Sequence, residues 1–343
     1  MNIFNIHREV MSEYANYIRS FINIDNQQIK EKVKDELEKG KLWPEPLLQF
    51  NPAYKTAGAI ENITELNMTQ GLKDTLTNFQ LYQHQIEALK LGFREKDFIV
   101  TSGTGSGKSL TYMATIFNDL FLHQNLDGVV AIIVYPMNAL INSQTLSLDT
   151  FAKRYKEKTE KNFPITYGQY TGQEDEKKRD MIRHNPPQIL LTNYMMLELL
   201  LTRENEKNLS KAIYDNLKYL VFDELHTYRG RQGADVAMLI RRIKSQCKNK
   251  ITCIGTSATM TSGGTKEEQK QQVAEVATKF FGQKFEPDQI IHETLTKSLN
   301  SNINTDKEAL SEAIKLGITL EADEEELRNN PLSVWLENNI ALE

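Results

Sequence analysis

Nine residues, Thr101-Ser102-Gly103-Thr104-Gly105-Ser106-Gly107-Lys108-Ser109, follow the apolar run Phe98-Ile99-Val100 and lead into a helix-like stretch from Leu110 to Ile116. The order strand, glycine-rich loop, helix is what a bound triphosphate requires: a strand to aim the chain, glycines to let it curl, and helix N–H groups pointing at the anion. Gly103, Gly105 and Gly107 permit an anion-binding nest, to which Thr104 and Ser106 add backbone donors. Lys108 would reach the β- and γ-phosphates, and the Ser109 hydroxyl would ligate Mg²⁺. A glycine-rich turn with an incidental lysine is the bland alternative, and the strand–loop–helix context counts against it. A second acidic element must hold the metal and activate water. Tyr219-Leu220-Val221-Phe222 reads as a strand running into Asp223-Glu224-Leu225-His226. There Asp223 would contact Mg²⁺, directly or through water, and Glu224 would polarise the attacking water.

These groups converge only if the chain between them alternates strand and helix. A helix is expected over 82–92, strands at 96–101, 129–135, 163–170, 188–192, 217–223 and 251–256, and helices between most of them. Buried β-branched runs alternating with helices argue an α/β fold with a mainly parallel, doubly wound sheet, whose ligand lies at the C-terminal strand ends. We place this domain at 78–283. Before it, residues 1–77 read as a helical N-terminal extension, with helices at 3–22 and 26–39, and an irregular arm at 41–60 containing Pro44, Pro46 and Pro52. The apolar spacing of Ile3, Ile6, Val10, Tyr14, Tyr17 and Phe21 predicts that the first helix packs on the main domain. Residues 284–343 read as a polar, helical tail with helices near 306–315 and 331–340.

Composition sets the outer bounds. With 40% hydrophobic and 25% charged residues and a net charge of −5, the chain is globular and has no global basic field. No apolar run of membrane-spanning length occurs, and Cys247 and Cys253 fit no zinc or redox spacing, so a cytoplasmic, membrane-free protein is expected.

The loop and the acidic box together resemble a superfamily 2 helicase of the DEAD/DEAH-box type, and other segments fit that family in order. Phe79-Gln80-Leu81-Tyr82-Gln83-His84-Gln85 resembles the Q motif; the resemblance implies that Gln85 reads the adenine edge of ATP and Tyr82 stacks on the base. Thr256-Ser257-Ala258-Thr259 resembles motif III, implying that Ser257 and Thr259 couple the nucleotide site to the nucleic-acid site. By the same resemblance the box histidine, His226, belongs to the catalytic set. Tyr135-Pro136-Met137-Asn138-Ala139-Leu140 with Gln144, then Thr171-Gly172, then Leu191-Thr192-Asn193-Tyr194 resemble the nucleic-acid-contacting motifs. This implies that Pro136, Asn138, Ala139, Gln144, Thr171, Gly172, Thr192 and Asn193 grip one strand through its phosphates. His226-Thr227-Tyr228-Arg229-Gly230-Arg231, before a helix carrying Arg241 and Arg242, resembles the bacterial DNA helicases of mitomycin-repair type and their phage-defence relatives. Arg229 and Arg231 are thereby implied in DNA contact, DNA rather than RNA.

The resemblance covers roughly 79–260. A motor of this kind is a RecA-like pair with ATP in the cleft between the two domains, and no second strand–helix alternation follows motif III here. The expectation is therefore the ATP-binding half of a DNA helicase or translocase, weak or inactive until a second RecA-like domain is supplied. A non-catalytic nucleotide-dependent binding module and an RNA helicase fragment stand as alternatives.

Overall fold

The computed structural model describes residues 3–38, 52–103, 105–123, 126–258, 265–300, 302–317 and 323–341. Thr104, Thr259 and most of the proline-containing arm lie outside the described residues. Two compact units are present, the first built on residues 1–51 and the second on 52–337.

The first unit contains α1 (Ile3–Ser20) and α2 (Gln27–Glu38). α2 begins where Asn26 accepts hydrogen bonds from the Gln28 and Ile29 N–H groups through its side chain, a standard N-cap. Val10, Tyr14 and Tyr17 of α1, and Phe21 just past its end, members of the predicted stripe, are exposed.

The second unit is the sequence-expected α/β fold. In chain order its elements are β1 (Thr56–Ala59), α3 (Gln70–Thr75), β2 (Gln80–Tyr82), α4 (Gln83–Gly92), β3 (Phe98–Thr101), α5 (Lys108–Leu122), β4 (Ala131–Tyr135) and α6 (Asn138–Thr159). Next come β5 (Tyr167–Tyr170), α7 (Glu176–His184), β6 (Ile189–Asn193), α8 (Tyr194–Thr202), α9 (Lys207–Asn216), β7 (Tyr219–Phe222) and α10 (Gly230–Gln246). The last are β8 (Thr252–Ser257), α11 (Lys266–Phe281), β9 (Ile290–His292), α12 (Lys307–Leu316), α13 (Glu324–Arg328) and α14 (Pro331–Leu336).

Seven strands form one sheet in the order β5-β6-β4-β7-β8-β3-β9, every neighbouring pair parallel. Side chains alternate across it with period two. Phe98, Val100, Ile133, Tyr135, Leu191 and Val221 face one core with Leu72, Ile86, Tyr112, Phe117 and Ile141. Ile99, Ile132, Val134, Leu190, Leu220 and Phe222 face the other, against Leu197, Ile213, Val236, Ile240 and Phe281. Burial on both faces explains why the strands read as continuous apolar runs.

Two findings depart from the sequence reading. β9 extends the sheet past residue 283, where the domain was expected to end; its two buried isoleucines, Ile290 and Ile291, are too short a signal in a polar segment. Within the arm expected to be irregular, 56–59 form β1, antiparallel to β2. Tyr54 bridges to Leu295, and Lys55 N–H donates to the Thr294 carbonyl at 2.7 Å, so the arm and the segment after β9 strap together across the end of β3.

Candidate nucleotide and nucleic-acid site

The strand order sets β8 between β7 and β3, so the acidic box and the phosphate loop leave the same end of the sheet one strand apart. Gly105 (φ 79°) and Gly107 (φ 72°) take the left-handed backbone the loop needs, and α5 starts at the next residue, Lys108. A side chain at Gly107 would also run into the Gln85 amide. Lys108 is buried, and its Nζ donates to the Ser102 and Gly103 carbonyls at 2.9 and 3.1 Å. Ser102 Oγ and Ser106 Oγ are 2.5 Å apart.

The loop is braced from behind. His84 Nε2 lies 3.0 Å from the Ser106 carbonyl. Gln85 Nε2 donates to the Gly107 carbonyl at 3.0 Å and to Ser106 at 3.4 Å, while its Oε1 accepts from Tyr82 N–H at 2.9 Å. The amide assigned by resemblance to the adenine edge is thus engaged by protein at both ends. On the far side, Gly103 N–H donates to Glu293 Oε2 at 2.6 Å, and Thr101 Oγ1 meets His292 Nδ1 at 2.7 Å. Tyr54, Tyr82 and His84 group their rings beside the loop, with centroids 5.4 to 5.7 Å apart. Tyr54, His84, His292 and Glu293 were not singled out from sequence. Only the neighbouring Tyr82 and Gln85 carried a signal.

At the acidic box, Asp223 N–H donates to the Val134 carbonyl at 2.9 Å, continuing the sheet, and the side chain is buried. Burial pushes the Asp223 carboxyl up to about 6, and Glu224's charge adds to this, against the Thr256 hydrogen bond and Lys108. Thr256 Oγ1 donates to Asp223 Oδ1 and itself accepts from Glu224 N–H at 3.2 Å. Glu224 takes a left-handed backbone (φ 54°), a strain of about 1–2 kcal/mol for a residue other than glycine. His226 Nδ1 stands 3.3 Å from Glu224 Oε2, 3.3 Å from Ser257 Oγ and 3.4 Å from Ala258 N. Motif III therefore touches the box through Thr256, Ser257 and Ala258. Below it, the Tyr112 and Tyr135 hydroxyls are 3.2 Å apart, and burial holds both phenols well above their ordinary range.

The donor set suits a hard cation. Asp223 is a buried carboxylate short of positive charge, Ser109 offers a hydroxyl, and Mg²⁺ takes few protein ligands beside phosphates and water. Among the described residues no group of three or more His, Cys, Asp or Glu converges into a separate metal site.

The predicted nucleic-acid residues divide. Asn193 Nδ2 donates to Asn138 Oδ1 at 2.8 Å, joining the ends of β6 and β4, and Asn193 Oδ1 caps α8. Pro136, Asn138 and Gln144 are partly exposed, and Ala139, Gly172, Arg229 and Arg231 are exposed. Thr192 is fully buried, its hydroxyl donating to the Tyr170 carbonyl at 2.7 Å, so it ties β6 to β5 rather than facing solvent. Thr171 is also buried, and its N–H and hydroxyl both donate to Glu174 Oε2, at 2.5 and 2.6 Å. All four arginines are exposed: Arg241 donates to the Ala237 and Lys279 carbonyls, Arg242 pairs with Glu198, and Arg229 donates through Nε to the His226 carbonyl at 2.8 Å.

The DEAD/DEAH box helicase family matches residues 82–267, more than half of the chain. The chain belongs to the DEAD/DEAH box helicase family. It is 34% identical, over 53% of its length, to the Uncharacterized ATP-dependent helicase MJ1574 of Methanocaldococcus jannaschii, and 26% identical, over 63%, to the Druantia protein DruE of Escherichia coli. It spans 26% and 18% of those relatives' lengths. In fold this helicase-family domain is similar to the DUF1998 helicase MrfA bound to DNA (TM-score 0.56, 24% identity, 71% of this chain and 29% of that one). It is likewise similar to the Mycobacterium smegmatis helicase Lhr bound to ssDNA and AMP-PNP (TM-score 0.54, 22% identity, 68% and 28%). The α/β unit is a RecA-like helicase motor domain.

Proposed function

We propose that this chain is the ATP-binding half of an ATP-dependent DNA helicase or translocase. The observation that carries the reading is the Thr256 hydroxyl, which bonds both members of the acidic pair from the first residue of motif III. A change at the γ-phosphate felt by Asp223 or Glu224 passes through that contact to β8. In this reading the loop N–H groups and Lys108 hold the phosphates, with Lys108 leaving the Ser102 and Gly103 carbonyls to do so. Ser109 and Asp223 would hold Mg²⁺, which would offset the negative charge of the phosphates. Glu224 orients the attacking water, and His226 relays its state to Ser257.

DNA rather than RNA is proposed because the segment 226–231 resembles the DNA-helicase branch; among similar folds MrfA and Lhr are seen with DNA and ssDNA and the DEAD-box helicase Mss116 with ssRNA, so the fold itself does not choose the polymer. Asn138, Gln144, Asn193, Gly172, Arg229 and Arg231 offer amides, a backbone and cations for a phosphate backbone. Turnover needs a second RecA-like domain, whose arginine contributes on the order of 10³–10⁵ in rate in phosphoryl-transfer enzymes. DNA repair or phage defence in the cytoplasm is the setting we propose; free Cys247 and Cys253 fit a reducing compartment.

The test is calorimetry and ATPase assay on the chain alone and with its second motor domain, with and without single-stranded DNA. The expected result is Mg-ATP binding that Lys108→Ala abolishes, and DNA-stimulated turnover only in the assembled pair. Equal ATP affinity in Lys108→Ala, or robust stimulated turnover by the chain alone, overturns it.

A further inference from the structure

We propose that Glu293 is a positioning residue of the phosphate loop: its carboxylate holds Lys108 on the loop's own carbonyls and so weakens the loop's grip on nucleotide. This role rests on the nucleotide-site reading above and adds to it a charge that sets affinity.

The Ser102 carbonyl and the Gly103 N–H belong to one planar peptide group. Lys108 Nζ donates to that carbonyl at 2.9 Å, and the N–H donates to Glu293 Oε2 at 2.6 Å. A cation and an anion therefore hold opposite ends of a single amide. Each polarises it toward the other, which makes the carbonyl a stronger acceptor for the ammonium than a neutral partner would. Lys108 is 8% exposed, and a buried ammonium is costly unless its charge is answered. Its described hydrogen-bond partners are two neutral carbonyls, so negative charge reaches it across the amide from Glu293 as well as through space from Asp223. The Ser106 and Gly107 carbonyls, by contrast, meet the neutral Gln85 amide.

Strand pairing puts Glu293 in this place. The parallel register sets Thr101 beside His292, which brings together Gly103 and Glu293, just beyond the ends of β3 and β9. Before the glutamate, His292 Nδ1 lies 2.7 Å from Thr101 Oγ1. After it, Lys55 N–H donates to the Thr294 carbonyl at 2.7 Å and Thr296 N–H to the Ala53 carbonyl at 2.8 Å. The backbone that carries the carboxylate is thus fixed on both flanks. Phosphates require Lys108 to leave the Ser102 carbonyl. Glu293 opposes that twice, by holding the lysine where it is and by repelling the incoming anion. Once hydrolysis has occurred, the same carboxylate draws the lysine back and favours release of the product.

The experiment is isothermal calorimetry of Mg-ATP and Mg-ADP with the full chain and with Glu293→Gln, which keeps an acceptor for the Gly103 N–H and removes the charge. We expect Glu293→Gln to bind both nucleotides about fivefold more tightly in about 0.05 M salt, with most of the gain gone in about 0.5 M. Glu293→Ala, which gives up the hydrogen bond as well, should show the same salt-sensitive gain. A residue that only braced the loop would give the opposite sign, since losing a brace weakens binding at any salt. Equal or weaker binding in both variants, or a gain that persists in high salt, overturns the proposal while leaving the phosphate site intact. Failure of the native chain to bind either nucleotide overturns the site reading together with it.

Discussion

One hydroxyl serves both members of the acidic pair, since Thr256 Oγ1 donates to Asp223 and accepts from Glu224 N–H. Thr256→Val keeps the shape but leaves a buried carboxylate oxygen without its donor, a loss of about 1–3 kcal/mol. We expect Thr256→Val to bind Mg-ATP with near-native affinity while losing DNA stimulation of turnover in the assembled motor, and Thr256→Ser to restore it. Unchanged stimulation in Thr256→Val removes the residue from the coupling route. The Asp223 carboxyl, pushed up to about 6 by burial, is ionised at neutral pH against its surroundings, a penalty of about 3 kcal/mol. Asp223→Asn should therefore raise the melting temperature of the nucleotide-free chain at pH 7.5 and abolish Mg²⁺-dependent ATP binding. A lower melting temperature in that variant would contradict a destabilising buried charge. What was legible at this scale was contiguous: the loop and the box each sit in one stretch. Thr256 lay in a recognised motif, yet its two partners, 32 and 33 residues away, became visible only in the fold. Tyr54 and Glu293 had no signal, because their relation to Gly103 is made by a strap that no local pattern encodes.

Among the elements, β5, α7 and the turn before α9 are joined by one buried carboxylate. Glu206 accepts from the Tyr170 hydroxyl at 2.6 Å and from Arg183 Nη2 at 2.9 Å, with Arg183 Nε on its other oxygen at 3.1 Å. Burial alone raises the Glu206 carboxyl, but hydrogen bonds from Arg183 and Tyr170 and the Arg183 charge outweigh it and hold it below its ordinary value. A carboxylate depressed in the fold contributes stability that is present above its unfolded pKa and lost as pH falls through the folded one. Glu206→Gln should lower stability at pH 7 by about 1–3 kcal/mol, with the deficit shrinking as pH drops below about 4. Thermal melts that show a pH-independent difference would assign the loss to packing. β6 was legible because it is buried on both faces, whereas β5, at the sheet edge, is only partly buried. β5 began later than expected, at Tyr167, because 163–166 carry the apolar residues Phe163 and Ile165 without the pairing.

For the molecule as a whole, a net charge of −5 leaves nucleic-acid affinity to local cations such as Arg229 and Arg231. Affinity for single-stranded DNA should fall linearly on a log–log plot against salt, losing about 0.7 in slope for each phosphate contact removed. Arg229→Ala with Arg231→Ala should flatten the slope by about 1.4 and weaken different sequences equally. A sequence-selective loss would show base reading instead.

β9 also bears on where this polypeptide can be cut. A chain ended at residue 283, the boundary that residue pattern suggests, would strip Ile290–His292 from β3. The N–H and C=O groups of β3 on that side would lie bare, a template for pairing with a neighbouring copy. The same cut removes Glu293 from Gly103 and Leu295 from Tyr54. Light scattering should find the chain ended at 283 self-associating and one carried through residue 337 remaining monodisperse, so the shortest useful version of this motor domain is set by its edge strand.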